Sequence, residues 1–385
     1  MLEPPGLSKN SKSSSDQSNY IHTVNDPFAN LNELKNWFKQ ARKASFLLCN
    51  AGTKVSELAG ISAAGADAAA RRLTPALDSE ALILGKTISA ERLPVSPIGI
   101  VSPVVISRAC LQLLQIEAKV IDCGSFASAK IKDLLELSSV VADCPSSGQA
   151  LPERLVAKLF QDGQELGNKY SENNDYIVVA ECVPGGTTTA MAVMSALGYE
   201  INGLVSSSLP SSNHSQRWDL VSTGLAKSGY SRSDFRKQPL LAVSSVGDAM
   251  QAVVAGIASS AAKRIRVFLA GGSQMLAIWG LLKALALPQA QLERITIMTT
   301  GWVAFDKSAG VQKLAQIMNA PMAAACPNFW NSRHPGLQAY EEGNVKEGVG
   351  AGACMCLAHL YGFTARDIQS AIDTCYDELL AKSFR

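Results

Sequence analysis

The stretch YIVVAECVPGGTTTA, residues 176–190, decides how this chain folds. An apolar, β-branched run ends in Glu181, and two glycines and three threonines then lead into an Ala-rich segment, an order that predicts a strand, a turn and a helix. In such a turn, backbone N–H groups and the helix dipole favour an anion, although a turn that binds nothing is the competing interpretation. Glu181 then has a separate task, such as accepting hydrogen bonds from ribose hydroxyls. The candidate phosphate-binding residues are Gly185, Gly186, Thr187 and Thr188.

The same order of apolar run, small-residue turn and Ala-rich segment recurs along the chain. The predicted strands are residues 45–50, 119–123, 176–182, 264–270 and 294–300, and the predicted helices include residues 188–197, 249–263 and 275–285. Strands that alternate with helices predict an α/β fold with a mostly parallel sheet. Ligands of such sheets bind beyond the carboxyl ends of the strands. Gly271, Gly272 and Thr300 lie at two of those ends and join the candidate substrate-binding residues, although each also fits a simple turn.

A carboxylate and a small-residue loop complete the candidate site. Glu347 lies in the stretch EEGNVKEGVGAG, residues 341–352, directly before an apolar helical segment. Partial desolvation there would raise its pKa and suit a general base, whereas a surface glutamate at a helix N-terminus is the alternative. The stretch AGISAAGAD, residues 59–67, is suited to lining an apolar pocket through Ile61 and Ser62, and it also fits a plain flexible loop.

Composition excludes several classes of function. The 385 residues carry a net charge of +2, from 35 basic and 33 acidic side chains. The chain therefore lacks the large excess of positive charge that is typical of proteins that bind nucleic acid or an anionic membrane. Neither a secretory signal nor an apolar run of about 18 residues is present. The nine cysteines are dispersed, without a C-x-x-C pair, and there are four histidines. We therefore expect buried free thiols, no metal site and a reducing, cytoplasmic location.

Taken in order, these segments resemble the nicotinate-nucleotide–dimethylbenzimidazole phosphoribosyltransferase family, and more closely its archaeal and cyanobacterial uncharacterised branch. The resemblance runs from about residue 45 to about residue 357. The stretches that carry it are Gly60-Ile61-Ser62-Ala63, Glu181 with the following Gly-Gly-Thr-Thr-Thr-Ala, Val246-Gly247-Asp248, and Lys346-Glu347-Gly348-Val349-Gly350-Ala351.

The resemblance implies a fold, a domain organisation and an assembly. The fold would be a three-layer, Rossmann-like parallel sheet with a smaller helical part built from both chain ends. We expect a disordered tail over residues 1–25 and one phosphoribosyltransferase unit over residues 26–385. Its large α/β part would span about residues 45–345, and its helical part about residues 26–44 and 350–385. The resemblance also implies a homodimer without a cofactor.

The resemblance further implies base exchange, in which nicotinate leaves C1′ of nicotinate mononucleotide and a nitrogenous base replaces it. The product would be an α-nucleoside 5′-phosphate for cobamide biosynthesis. Glu347 matches the general base, Glu181 the second carboxylate near the ribose, and Arg217 the approximate position of a phosphate-contacting lysine. Bacterial members have Gly-Ile-Gly-Asn-Thr-Thr in place of residues 184–189. They also have an Asp-His pair after the first strand, where this chain has Asn50-Ala51-Gly52. Alanines at residues 68–70 replace polar residues expected to contact dimethylbenzimidazole, so the acceptor base can differ.

Two rival interpretations remain from the sequence. The divergent acceptor pocket also fits a catalytically silent or regulatory nucleotide-binding homologue. A dinucleotide-dependent oxidoreductase is weakened because no Gly-x-Gly-x-x-Gly follows the first predicted strand. A small-molecule kinase lacks both the P-loop lysine and a metal-binding carboxylate pair.

Overall fold

The computed structural model describes residues 20–28, 31–90, 93–206, 208–209 and 213–383. Within these ranges a single sheet has the strand order β1-β8-β7-β6-β5-β2-β3-β4. The strands are β1 (Ile21–Asn25), β2 (Ala44–Asn50), β3 (Glu117–Asp122), β4 (Leu135–Glu136), β5 (Tyr176–Cys182), β6 (Arg266–Ala270), β7 (Ile295–Thr300) and β8 (Met322–Ala325). All neighbouring strands are parallel except β1, which runs antiparallel to β8.

Sixteen α-helices connect and cover these strands in the described part of the chain. They are α1 (Leu31–Phe38), α2 (Ala68–Leu84), α3 (Val104–Leu114), α4 (Glu153–Ser171), α5 (Gly186–Ala196), α6 (His214–Lys227), α7 (Arg232–Lys237), α8 (Leu240–Val246), α9 (Ala249–Ala261), α10 (Ser273–Ala284), α11 (Gln289–Leu292), α12 (Gly301–Ala304), α13 (Val311–Met318), α14 (Pro335–Gln338), α15 (Ala351–Leu360) and α16 (Ala365–Ser383). Short 3-10 helices lie at Lys54–Glu57, Pro145–Ser147 and Phe329–Asn331.

Alternating side chains of the central strands divide the hydrophobic core into two layers. Leu47 and Cys49 of β2 face a core built with α4, α5, α8, α9 and α10, whereas Phe46 and Leu48 face a core built with α1, α2, α3, α15 and α16. Both faces of a parallel sheet must be covered by helices, which explains why β5 is buried along its whole length and apolar except at Glu181. The predicted three-layer α/β fold is confirmed.

The two chain ends meet on the second of these layers. Helix α1 packs against α15, and the aromatic rings of Phe38 and Tyr361 lie 5.6 Å apart. Phe38 also stacks on Phe268 of β6 at 5.4 Å. The helices that the family resemblance assigned to both chain ends therefore share one hydrophobic core with the sheet. A turn at Tyr361-Gly362 separates α15 from α16.

One detail of the sequence prediction needs correction. The predicted tail extends to residue 25, but Ile21–Asn25 forms β1, which pairs with β8. Residues 1–19 of the predicted tail lie outside the described residues. The sheet is mostly parallel, as predicted, and β1 is its one antiparallel strand in the described ranges. The nine cysteines are free thiols as predicted, and seven of them are buried.

Candidate active site

A cleft of about 900 Å³, including its open mouth, lies at the carboxyl ends of the central strands. One wall comes from residues 61–65, from α2 and from residues 94–103. The other wall comes from the turn after β5, the turn after β6, and residues 345–349. The cleft lies where parallel sheets of this kind bind ligands.

Glu181 lies at the carboxyl end of β5 and forms part of the cleft wall. Its side chain is 5% exposed, and the backbone N–H of Val183 donates a 3.1 Å hydrogen bond to Oε2. Burial, and next the neighbouring Glu347 carboxylate, raise the pKa of Glu181 to about 8, against hydrogen bonds from Val183 and Gln274. Near neutral pH, this carboxyl group therefore retains its proton in the empty cleft.

Glu347 lies on a backbone segment of unusual conformation. Val345, Lys346 and Val349 all have positive φ values, between 53° and 63°, which non-glycine residues adopt at a cost of about 1 kcal/mol or more each. Gly350, at φ 74°, packs so closely on β5 and β6 that a Cβ would lie 2.9 Å from the side chain of Ala180. Close packing on the strand ends therefore holds this segment in a strained conformation beside the cleft.

The carboxylate of Glu347 receives hydrogen bonds from several neighbours. The hydroxyl of Thr299 donates to Oε2 at 3.2 Å, and the backbone N–H groups of Gly348 and Gly352 donate to Oε1 at 3.1 and 3.2 Å. Burial in the cleft wall nevertheless raises the pKa of Glu347 to about 7, because desolvation outweighs these hydrogen bonds. A carboxyl group with this pKa is suited to accept and release a proton near neutral pH.

The two carboxyl groups converge on one cleft, which is the arrangement that the sequence prediction required. The backbone N–H of Val349 donates to the carbonyl of Glu181 at 3.1 Å, so the strand end and the strained segment are directly joined. The double-glycine turn borders the same cleft through Gly185 and Thr187. Two buried carboxyl groups and the double-glycine turn therefore face a common space.

The double-glycine turn needs Gly185 for its left-handed backbone conformation, whereas the atoms nearest to Gly186 belong to the flexible end of the Gln274 side chain. Gly185 has φ 84°, and a Cβ there would lie 3.0 Å from the side chain of Val55. A Cβ on Gly186 would overlap the side-chain amide of Gln274 at 2.0 Å. Thr187 lines the cleft, whereas Thr188 is fully buried at the start of α5. The turn thus presents Gly185 and Thr187 to a ligand, with Gly186 and Thr188 behind them.

Three other predicted contact residues also lie behind the cleft wall, which differs from the prediction that they touch substrate. Gly271 packs beside the Glu181 carboxyl group, while its neighbour Gly272 does line the cleft. The Thr300 hydroxyl donates to the Lys346 carbonyl at 2.7 Å. Arg217 is fully buried, and its Nη2 donates to the Ile61 carbonyl at 2.8 Å.

The role of Arg217 inferred from the resemblance is therefore corrected to a position beneath the loop. Its guanidinium group supports the loop that carries Ile61 and Ser62, and both of these residues line the cleft as predicted. Burial lowers the pKa of Arg217 to about 10. The side chain therefore remains a cation next to the loop at neutral pH.

A buried ion pair lies beside Glu347 and was missed from the sequence. Lys346 is 2% exposed, and its Nζ contacts Asp306 Oδ2 at 2.7 Å and the carbonyl of Leu209 at 3.0 Å. Asp306 also accepts a 2.6 Å hydrogen bond from the hydroxyl of Ser206, which lines the cleft together with Lys346. Among the described lining residues, Lys346 is the one cationic side chain. The pair joins three separate segments around the cleft.

Within the described part of the chain, no group of three or more histidine, cysteine, aspartate or glutamate side chains is placed to hold a metal ion. No helix in the described ranges combines the length and hydrophobicity that crossing a membrane requires.

Comparison with known proteins agrees with this fold and cleft. A family model described as "Phosphoribosyltransferase" matches residues 106–290. Among solved structures, CobT from Thermus thermophilus has a TM-score of 0.59 at 15% identity, over 89% of this chain and 92% of that one. The nicotinate-nucleotide–dimethylbenzimidazole phosphoribosyltransferase from the same organism has a TM-score of 0.55 at 13% identity, covering 87% and 83%. The identities to the two solved structures are low and show the fold alone, whereas the phosphoribosyltransferase model matches a segment that includes β5 and the double-glycine turn.

Relatives with higher sequence identity identify the family of this chain. A UPF0284 protein from Gloeobacter violaceus is 42% identical over 330 residues, which cover 84% of this chain and 85% of the relative. A UPF0284 protein from Gloeothece citriformis is 41% identical over 337 residues, covering 86% and 90%. The chain belongs to the UPF0284 family. The resemblance inferred from the sequence is confirmed.

Proposed function

We propose that this protein transfers ribose 5-phosphate from nicotinate mononucleotide to a nitrogenous base, dimethylbenzimidazole or a related base. The products would be nicotinate and an α-nucleoside 5′-phosphate for cobamide biosynthesis. The convergence of Glu181 and Glu347 on the cleft that holds the double-glycine turn carries this proposal. The solved structures of similar fold, one of them named as such a transferase, support it. We place the protein in the cytoplasm because its cysteines are free thiols, and we infer a homodimer from the family resemblance.

The chemistry needs two carboxyl groups of different function. The bond from C1′ to the positively charged pyridinium nitrogen breaks, and its electron pair neutralises the departing nicotinate, so no acid catalyst is required. Positive charge develops on the ribose ring, and the carboxylate of Glu181 would stabilise it. The cationic substrate favours ionisation of Glu181, whose pKa of about 8 in the empty cleft reflects burial and the Glu347 charge.

Glu347 would act on the incoming base. A ring nitrogen of the acceptor donates its lone pair to C1′, and the proton on the acceptor passes to the Glu347 carboxylate. With a pKa of about 7, Glu347 is ionised in a large fraction of molecules at neutral pH and accepts this proton without a large energy barrier. Backbone N–H groups at Gly185 and Thr187 would hold the 5′-phosphate and keep C1′ in line with the acceptor.

A catalytically silent or regulatory nucleotide-binding homologue is the second candidate. The buried Lys346–Asp306 ion pair favours it, because the cleft's one described cation is already engaged by a carboxylate rather than available to a phosphate. Such a protein would bind nicotinate mononucleotide without consuming it.

An acceptor screen separates the two functions. Purified protein is incubated with nicotinate mononucleotide and, in turn, dimethylbenzimidazole, adenine and a phenolic acceptor, and products are identified by mass spectrometry. We expect nicotinate and a new nucleotide in equal amounts, only when a suitable base is present. Binding of nicotinate mononucleotide with no product from any base would support the silent homologue. Hydride transfer in a nicotinamide absorbance assay would instead point to an oxidoreductase.

A further inference from the structure

Asp78 is a buried carboxyl group in the cleft wall that the proposed chemistry does not use. It lies on α2, which crosses the cleft and is buried from Thr74 to Leu82. Its side chain is 2% exposed, and it lines the cleft together with Thr74 of the preceding turn. A carboxyl group is expensive to bury, so its partners decide whether its role is structural.

The neighbouring carboxylate on the same helix shows what a structural role looks like. Glu80 is fully buried and accepts hydrogen bonds from the backbone N–H groups of Ile88 at 2.6 Å, Ser89 at 2.8 Å and Lys130 at 2.9 Å. The pKa of Glu80 is lowered because these and the Ser89 hydroxyl offset its burial. Glu80 therefore connects α2 to two surrounding loops.

Asp78 has no comparable set of partners. Oδ2 accepts a hydrogen bond from the Cys182 thiol at 3.2 Å, a weak donor, and the Ser102 hydroxyl bonds to the same carboxyl group. Oδ1 is buried and has no hydrogen-bond partner within the described ranges. Burial raises the pKa of Asp78 to about 7, so a large fraction carries a proton at neutral pH. The side chain can then both donate and accept a hydrogen bond.

The surroundings of Asp78 form a slot with apolar and polar residues. Pro94, Val95, Ile100 and Pro103 line it with side chains that cannot hydrogen-bond, while Ser96 and Ser102 lie in the same segment and the Ser102 hydroxyl already bonds to Asp78. Cys182, which contacts Asp78, directly follows Glu181 in the chain, and both residues line the cleft. A flat heterocycle in this position would have apolar contact over its faces and one carboxyl group at its edge.

We propose that Asp78 determines acceptor specificity and selects a flat heteroaromatic base whose edge carries a ring nitrogen beside an amino group. A carboxylic acid pairs with such an edge through two hydrogen bonds, since its O–H donates to the ring nitrogen and its carbonyl accepts from the amino group. Benzimidazoles offer carbon-bound hydrogens or methyl groups on their benzene ring and would leave the carboxyl group unpaired. The inference rests on the proposed function and deepens it by naming the acceptor class.

Acceptor kinetics test the inference. The kcat/KM for adenine, which carries this edge, is compared with that for benzimidazole and for unsubstituted purine, in the native protein and in Asp78→Leu and Asp78→Asn. Removing two hydrogen bonds changes binding by about 10- to 100-fold. We expect Asp78→Leu to lower the ratio of adenine to benzimidazole by that factor. Asp78→Asn should retain most of the ratio, because an amide also donates and accepts.

A neighbouring variant and a binding measurement complete the design. Glu80→Gln is the matched control, and we expect it to lower the melting temperature while leaving the base ratio at its native value. Calorimetric titration of adenine and purine, with nicotinate mononucleotide omitted, measures recognition even where a variant has lost turnover. Equal losses for all bases in Asp78→Leu, or an unchanged ratio, would overturn the inference while the proposed function stands. Transfer to none of the bases by the native protein would refute both.

Discussion

Replacing Glu181 with Gln tests whether burial in the cleft disfavours the ionised form of the Glu181 carboxyl group. Burial and the charge of Glu347 raise the pKa of Glu181 from 4.5 to about 8. Between these two values the folded protein binds a proton that the unfolded chain has released. The free energy of unfolding therefore falls as pH rises through this window. The stability that Glu181 contributes is complete only below the unfolded pKa of 4.5 and is lost as pH rises to about 8. Glutamine does not titrate, so the variant lacks this part of the pH dependence.

The structure sets the size of the effect. One unit of pKa shift corresponds to about 1.4 kcal/mol. The shift from 4.5 to about 8 therefore sets an upper limit of about 5 kcal/mol on the stability that Glu181 removes at alkaline pH. Water penetration and relaxation reduce such values in real proteins, so we expect about 2 kcal/mol. Glu347 and Asp78, whose pKa values are both raised to about 7, keep a residual pH dependence in the variant.

Urea unfolding at about pH 5 and about pH 8.5 measures the difference. The native protein should lose more stability between these conditions than Glu181→Gln, by about 2 kcal/mol. Glu342→Gln is the matched control, because Glu342 is an exposed glutamate. It lies four residues beyond the C-terminal end of α14. It should follow the native protein at both pH values. Equal pH dependence in the native protein and in Glu181→Gln would refute the argument that burial protonates this carboxyl group.

Three further predictions concern Glu347 and its supports. The rate of transfer should rise with pH around a midpoint near pH 7, because burial raises the pKa of Glu347 to about 7 and Glu347 must be ionised to accept a proton. A midpoint near pH 4.5 in the pH–rate profile would contradict this. Gly352→Ala should abolish transfer, because a Cβ would lie 2.0 Å from the backbone at the end of β7. Gly229→Ala should retain transfer, because its Cβ would contact no atom, and its positive φ of 76° adds only about 1 kcal/mol of backbone strain. Lys346→Met should lower the free energy of unfolding by about 3 kcal/mol at neutral pH, because Asp306 would remain buried without its cation, and urea unfolding of the variant would show this.

Local patterns in the sequence predicted the elements that depend on neighbouring residues. The strand, turn and helix around Gly185 could be predicted because apolar β-branched residues, glycines and threonines follow one another directly. The pairing of β1 with β8 could not be predicted, because β8 is the short run Met-Ala-Ala-Ala and β1 lies about 300 residues earlier in the sequence. Without an apolar alternation, neither strand is distinguishable from a loop.

In the candidate site, too, only residues marked by a local sequence motif could be predicted. Glu181 and Glu347 stand out because each adjoins a small-residue turn, and the structure brings them together. Asp78 and Lys346 were missed because their partners, Cys182 and Asp306, are distant in sequence and nothing local marks the contact. Arg217 was assigned by its position in a family pattern, whereas its actual neighbour is a backbone carbonyl on a loop about 150 residues earlier.

The central claim is that Glu347 removes the acceptor's proton in a cleft where Glu181 faces the same substrate. The most direct test is the kcat of Glu347→Gln with nicotinate mononucleotide and the best acceptor base, measured beside Glu342→Gln, with nicotinate mononucleotide binding determined by calorimetry. We expect a loss of about a hundredfold or more in Glu347→Gln, with nucleotide binding retained and the control near the native rate. A native rate of transfer in Glu347→Gln would contradict the account.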